Sequence, residues 1–447
     1  MGKGQGREFS SMEIKDLIIT PIYIILLSLI AYFIRPYVTT KETRKYFLPA
    51  LWVRFFGAIM LGIIYQFYYG GGDTFNYFTH GSRWIWEAFL DDPILGFKLL
   101  MESGGERVGE TFPWSQHIWY YKDPHSFFIV RLAALFDVFT FHTYSATALF
   151  FATFSFSGLW SFYSAVVKKY TGNAKWLAIS ILFVPSVVFW GSGILKDTIT
   201  LGALGWLTFV FIQVIDFGNK NPFYWGIALI SVFLIFSIKI YIVICYLPMV
   251  FLWLYWKYQS RIGNSLVKIL VAPFLITIFA GGGYFALQRI SSSSNKYSLD
   301  NIAYQARVTA YDIRYGWGAR TGGDGGYDIG IPDGTIPGML KLMPAAINVS
   351  LFRPYLWEVK NPLMLLSALE SIMILALSIW FVIVQGGFKR LISDPFLVFC
   401  FAFALLFAFA VGVSTANFGT LMRYKIPMMC FYAVVLVISS KHNRLVS

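Results

Sequence analysis

Apolar residues fall along this chain in long runs, without the alternating or one-faced patterns of a soluble fold. The runs cover approximately 17–34, 49–69, 144–167, 175–191, 197–215, 223–238, 240–256, 266–288, 362–384, 396–413 and 425–440. Most come close to the roughly 20 residues that a helix needs to cross about 30 Å of hydrocarbon. Backbone amides in lipid must be satisfied within the segment, so such runs predict helices. The pattern predicts an all-α integral membrane protein, a polytopic bundle of about 10–12 transmembrane helices forming one domain over 1–447. Two long polar segments interrupt it: 70–126, with short helices, and the glycine-rich 289–345. The stretch 127–141 is apolar but short and contains Arg131 and Asp137, which predicts a half-buried or re-entrant helix. Pro185, Pro248, Pro273 and the Gly281–Gly283 run predict kinks, which membrane helices tolerate. No small-residue cleavage site follows the first run, Leu17 to Ile34, so it reads as an uncleaved helix.

Composition agrees with the pattern. Of 447 residues 57% are hydrophobic and 13% charged, and the mean hydropathy is +0.62. A soluble fold of this make-up would expose apolar patches too large for solubility. The net charge of +13 sits in short connections, with no basic helix or aromatic-basic interleave, so it predicts topology and no nucleic-acid partner. Cys245, Cys400 and Cys430 lie inside apolar runs and offer neither metal spacing nor a disulfide framework. No metal or cofactor is indicated.

The positive-inside rule places Arg35, Lys41, Arg44 and Lys45, then Lys168, Lys169 and Lys175, then Lys220, Lys257, Arg261, Lys389, Arg390, Lys441 and Arg444 on one face, provided 127–141 does not span. That face is expected to be cytoplasmic. Lys3, Arg7 and Lys15 then fall outside, against the rule. The opposite face collects the chemically unusual segments: 70–126, opening Gly-Gly-Gly-Asp-Thr; Gly191 to Asp197; 289–345; and Asn417 to Arg423.

Several residues there could carry chemistry. Asp73 follows three glycines at the exit of the second run, with His80, Arg83 and the aromatics Phe75, Tyr77, Trp84 and Trp86 after it. A carboxylate held there suits a general base toward a hydroxyl, or simply an N-cap. Lys196 and Asp197 sit in a short connection between apolar runs, where ionisable groups are costly. They read equally as site residues or as a snorkelling lysine and an N-cap. Arg353 and Arg423, each beside aromatic residues at a run's edge, offer planar forks for phosphate oxygens or ordinary interfacial anchors. Glu370, inside an apolar run, needs a partner such as Arg353 or Lys239; Asp137 and Lys239 read as members of structural ion pairs. The glycines of 316–328 suit a mobile lid over a membrane-face site.

Four places together resemble the GT-C class of membrane glycosyltransferases, which take sugars from polyprenyl-phosphate donors. They are Asp73 after an early span, Phe-Trp-Gly-Ser-Gly-Ile-Leu-Lys-Asp (189–197), Arg-Pro-Tyr-Leu-Trp-Glu (353–358) and Asn-Phe-Gly-Thr-Leu-Met-Arg-Tyr (417–424). The chain also has the look of bacterial multi-span polysaccharide polymerases. The resemblance implies an inverting glycosyltransferase in a bacterial inner (plasma) membrane, acting at its non-cytoplasmic face. Asp73 would be catalytic, while Lys196, Asp197, Arg353, Glu358, Asn417, Arg423 and Tyr424 would bind substrate. The implied partners are the lipid bilayer, a polyprenyl-phosphate-sugar donor and a glycan, lipid or protein acceptor. A polymerase or ligase of undecaprenyl-linked oligosaccharide, or a transporter of such lipids, is the alternative.

Overall fold

A computed structural model describes residues 12–107, 109–259, 326–330, 335–383 and 387–440, with residues 304, 307, 308 and 311. The run 266–288 and most of the glycine-rich segment, Asp312 to Gly325 included, lie outside the described residues. The chain divides into two compact units, one of residues 1–174 and 187–240, the other of 175–186 and 241–447.

The first unit holds α1 (Ile14–Val38), α2 (Arg44–Phe67), α3 (Asp73–Tyr77), α4 (Arg83–Asp91), α5 (Pro93–Met101), α6 (Pro124–Thr140), α7 (Tyr144–Lys169) and α8 (Lys196–Phe211). The α7–α8 contact is built on small residues. A Cβ on Gly158 would lie 1.9 Å from the carbonyl oxygen of Gly202, and one on Gly205 would strike the Gly158 backbone. Lipid gives helices no hydrophobic reason to associate, so close backbone approach of this kind supplies the packing. On the other flank α7 packs against α2 and α1.

The runs 223–238 and 240–256 form one 37-residue helix, α9 (Pro222–Tyr258), interrupted at Lys239 where φ is −145° and ψ 76°. The predicted run 175–191 is two short helices, Ala174–Leu182 and Pro185–Trp190. Pro185 is the first residue of the second of these, a position where its missing N–H costs no intrahelical bond. The second unit continues with α10 (Met343–Phe352), α11 (Pro362–Ile383), α12 (Pro395–Ser414), α13 (Phe418–Tyr424) and α14 (Ile426–Ser440). Gly412 lets α12 meet α10, where a Cβ would come within 2.3 Å of the Ala346 carbonyl oxygen.

Among the described residues seven helices are long and apolar enough to cross a membrane: α1, α2, α7, α8 with its extension to Asp216, α9, α11 and α12. An eighth span results if α13 and α14, bent by 65° at Lys425, are taken together. The described residues contain no β-strand, and Gly326 and Asn417 form an isolated bridge. The protein is therefore an all-α, multi-pass membrane protein whose solvent is the bilayer.

Candidate functional site

In the first unit the polar residues gather around one short segment, Trp119 to Ser126, which precedes and opens α6. Upstream, Gly70, Gly71 and Gly72 have φ of 68°, 138° and 133°, a region costly to any residue with a Cβ. Gly72 is also too close to the Tyr65 ring, at 2.6 Å, to carry one. This turn delivers Asp73 as the first residue of α3, half-buried, with Gly72 in the N-cap position. The Tyr120 hydroxyl donates to Asp73 Oδ1 at 3.2 Å, and Asn76 Nδ2 donates to that hydroxyl at 3.3 Å.

Residues Phe78–Ser82 then form a wider π turn, a departure common at functional sites. Within it, the His80 ring stacks on Trp119 with centroids 3.9 Å apart, and the His80 carbonyl accepts from the Trp119 amide at 3.1 Å. Burial, and then the neighbouring Arg83, push the His80 imidazole below its usual range. Beside Tyr120, Tyr121 donates to Glu102 at 2.5 Å; burial and that bond push its hydroxyl up to about 12.

The turn from Tyr120 closes with the Asp123 amide donating to the Tyr120 carbonyl at 3.1 Å. Asp123 is the N-cap of α6, accepting from the His125 amide at 3.2 Å and from the Ser126 hydroxyl. Lys196 approaches the same carboxylate at 3.5 Å. Burial raises the Asp123 carboxyl, but the Lys196 ammonium, the Ser126 hydroxyl and His125 together hold it below the usual range. His125 Nδ1 lies 2.8 Å from the Ser237 carbonyl oxygen. A carbonyl only accepts, so Nδ1 carries a proton, and in the neutral ring Nε2 is the acceptor.

Lys196 and Asp197 open α8 behind the N-cap residue Leu195, so Asp197 is not the cap. Its side chain is fully buried and pairs with Lys239, the residue at which α9 breaks. Lys239 is thus a member of a buried ion pair, with Asp197 as its partner. Behind the 189–197 turn, buried Arg54 donates from Nη1 to the Val187 and Gly191 carbonyls at 2.7 and 2.9 Å. Asp137, likewise buried, accepts from Thr147 at 2.6 Å and meets His142 Nδ1 at 2.9 Å.

The second unit holds the other candidates. Arg353 makes a forked pair with Glu358: Nε lies 3.1 and 3.0 Å from its two oxygens, and Nη2 also bonds Oε1. Its guanidinium packs over the rings of Tyr327, Tyr355 and Phe418 at 5.9, 5.8 and 5.4 Å. A phosphate could meet only its Nη1 edge while that pair holds. Asn417 is the N-cap of α13, accepting from Gly419 and Thr420 at 2.7 and 3.4 Å. Arg423 is 8% exposed and lies 6.0 Å from the Tyr424 ring. Glu370, also buried, accepts from the Ser186 amide at 2.7 Å.

The Arg353–Glu358 pair carries a pH prediction. Burial raises the Glu358 carboxyl, but the Arg353 bonds and the Tyr355 amide hold it below its usual range. A carboxyl depressed in the folded state stabilises at pH above its unfolded value, and the gain disappears as pH falls through the folded one. Charge-assisted bonds of this sort are worth roughly 1.5–3 kcal/mol. Glu358→Gln should therefore lower the thermal midpoint in detergent at pH 7, and the gap to wild type should close by pH 3. A gap that stays constant with pH would assign the loss to packing.

The fold and these polar centres define a polytopic α-helical membrane protein with ionisable groups gathered at helix ends. Compared with protein-family models, with curated proteins and with solved structures, the chain matches none.

Proposed function

We propose that the protein is a membrane glycosyltransferase that moves a sugar from a polyprenyl-phosphate donor to a cell-envelope acceptor, at the non-cytoplasmic face. The observation that carries the reading is the grouping of Asp73 and Lys196 about one short segment, Asp73 bonded to Tyr120 and Lys196 paired with Asp123. A proton acceptor and a phosphate-binding cation within one neighbourhood are what this transfer requires.

In the proposed step the acceptor hydroxyl oxygen bonds to the anomeric carbon on the face opposite the phosphate. The bond from that carbon to the phosphate oxygen breaks, and its electron pair leaves with the polyprenyl phosphate. The hydroxyl proton passes to the Asp73 carboxylate. A single displacement of this kind inverts the anomeric centre. Lys196, whose ammonium lies 3.5 Å from Asp123, is the cation for the departing phosphate. Arg423, and Arg353 through its Nη1 edge, are the second unit's own candidates for a phosphate oxygen.

The test is transfer itself. Purified protein in lipid nanodiscs should move label from short-chain polyprenyl-phosphate sugars to a water-soluble or lipid acceptor. Arg423→Lys keeps the charge and loses the fork, so it should slow the chemical step about a hundredfold while donor binding changes little. Equal rates would return Arg423 to interfacial anchoring. One observation favours a carrier of lipid-linked sugars as the second reading: an ion pair, Asp197 with Lys239, buried at the break of an apolar helix. A carrier would move the donor lipid between leaflets and leave the glycosyl bond intact.

A further inference from the structure

The hairpin of α4 and α5 presents its apolar side outward. The two helices are joined through Asp92, which caps α5 by accepting from the Ile94 amide at 2.8 Å. They fold closely against each other, since a Cβ on Gly96 would lie 2.5 Å from the Phe89 ring. Their inner sides are already filled: Ile85, Ala88 and Leu99 are fully buried, and both helices pack on α6. Outside, Leu90, Ile94, Phe97 and Met101 are 66%, 77%, 59% and 65% exposed. Positions 94, 97 and 101 recur at the three- and four-residue spacing that makes one stripe of a helix. Charged side chains flank that stripe and pair off it, Arg83 with Glu87 at 2.7 Å and Lys98 with Glu110 at 2.9 Å.

We propose that this hairpin is an interfacial anchor, its outer stripe of Leu90, Ile94, Phe97 and Met101 lying in the headgroup and upper acyl region of the bilayer. A helix in that plane buries its apolar face about 5–10 Å deep and keeps its charges toward water. The occupant follows from continuity. The hairpin lies on the connection between two helices that cross the membrane, α2 and α7, and the exit of α2 already exposes Phe67, Tyr68 and Tyr69. Aromatic side chains in that position mark the membrane–water boundary. Trp119, 61% exposed and stacked on His80, continues the belt. The anchor would hold Asp73 and the Tyr120 turn at headgroup depth, where the phosphate of a lipid-linked molecule lies. The inference rests on the membrane fold and stands apart from the glycosyl-transfer reading.

Spin labels report depth directly. The native cysteines are buried, so single cysteines introduced by Ile94→Cys, Phe97→Cys, Asp91→Cys and Lys98→Cys can be labelled selectively. In nanodiscs of phosphatidylcholine and phosphatidylglycerol, labels at 94 and 97 should collide freely with oxygen and rarely with a water-soluble nickel chelate. Their oxygen-to-nickel ratio should exceed that at 91 and 98 several-fold. Equal nickel access at all four positions would place the stripe in water and overturn the proposal. Exclusion of both reagents at 94 and 97 would mean that protein covers the stripe, a second copy of the chain included, and would overturn it as well.

Discussion

Lys239→Met should destabilise the first unit by about 3–5 kcal/mol, and Asp197→Leu by a similar amount, while the double variant should recover most of either loss. Asp197 is fully buried and Lys239 is 7% exposed, so removing one partner strands the other's charge away from water. Removing both leaves apolar groups of similar size, and replacing a buried pair in this way is often close to neutral. The measurement is a double-mutant cycle on unfolding midpoints in one detergent. Singles and double equally damaged would show that each residue acts through other contacts. The cycle also bears on function. If the double variant is stable and still transfers sugar, the pair is a fastening between α8 and the break of α9. If it is stable and inactive, the pair takes part in the reaction or in movement of the substrate.

Much of this fold is legible in the sequence because the bilayer imposes a simple rule, apolar length. The runs at 17–34, 49–69, 144–167, 197–215, 362–384 and 396–413 are helices with ends displaced by a few residues. The rule reads length and composition but not continuity. Its division of 223–256 at Lys239 falls at the non-helical residue of α9, where two helical stretches meet at a kink. It joins 174–190 into one span because the break between Leu182 and Pro185 leaves the hydropathy unchanged. It reads 127–141 as short and ambiguous, whereas the 17-residue α6 has a defined start, Asp123 followed by Pro124. That Asp-Pro pair is an N-cap signal visible in the sequence.

The polar centre is legible in its residues but not in its pairings. Asp73, Lys196 and Asp197 stand out as ionisable groups at run ends. Nothing in the spacing joins Asp73 to Tyr120, 47 residues on, or Lys239 to Asp197, 42 residues back. Arg54 and His125 escape notice for different reasons. Arg54 is a lone cation inside an apolar run, a signal in itself. His125 acquires meaning only from the Ser237 carbonyl, which fixes its tautomer. Arg353 and Asn417 show the reverse: residue types that suit a ligand are engaged here by Glu358 and by the first turn of α13.

Asp73→Asn is expected to cut turnover by roughly 10²–10⁴-fold, the usual contribution of a positioned general base. The variant is chosen because the amide oxygen can still accept from the Tyr120 hydroxyl, so the Gly70–Gly72 turn and α3 need not shift. What is lost is the negative charge, and with it the capacity to take a proton. The Michaelis constant for the donor should change little, since the phosphate contact lies on Lys196 in the proposed arrangement, and a loss confined to kcat marks an interaction made in the transition state. Unfolding midpoint and nanodisc reconstitution should match wild type. A variant with near-normal turnover would move the base elsewhere, and the geometry names where to look. In the neutral His125 ring Nε2 is the proton acceptor, because Nδ1 donates to Ser237, and His125→Asn can preserve that bond from its amide while removing the base. Asp123 is the poorer substitute, since the Ser126 hydroxyl, the His125 amide and Lys196 already stabilise its charge. Parallel kinetics of Asp73→Asn and His125→Asn thus separate two outcomes that one variant would confuse: a mistaken base, in which one variant stays active and the other does not, and a mistaken reaction, in which wild type itself transfers no sugar.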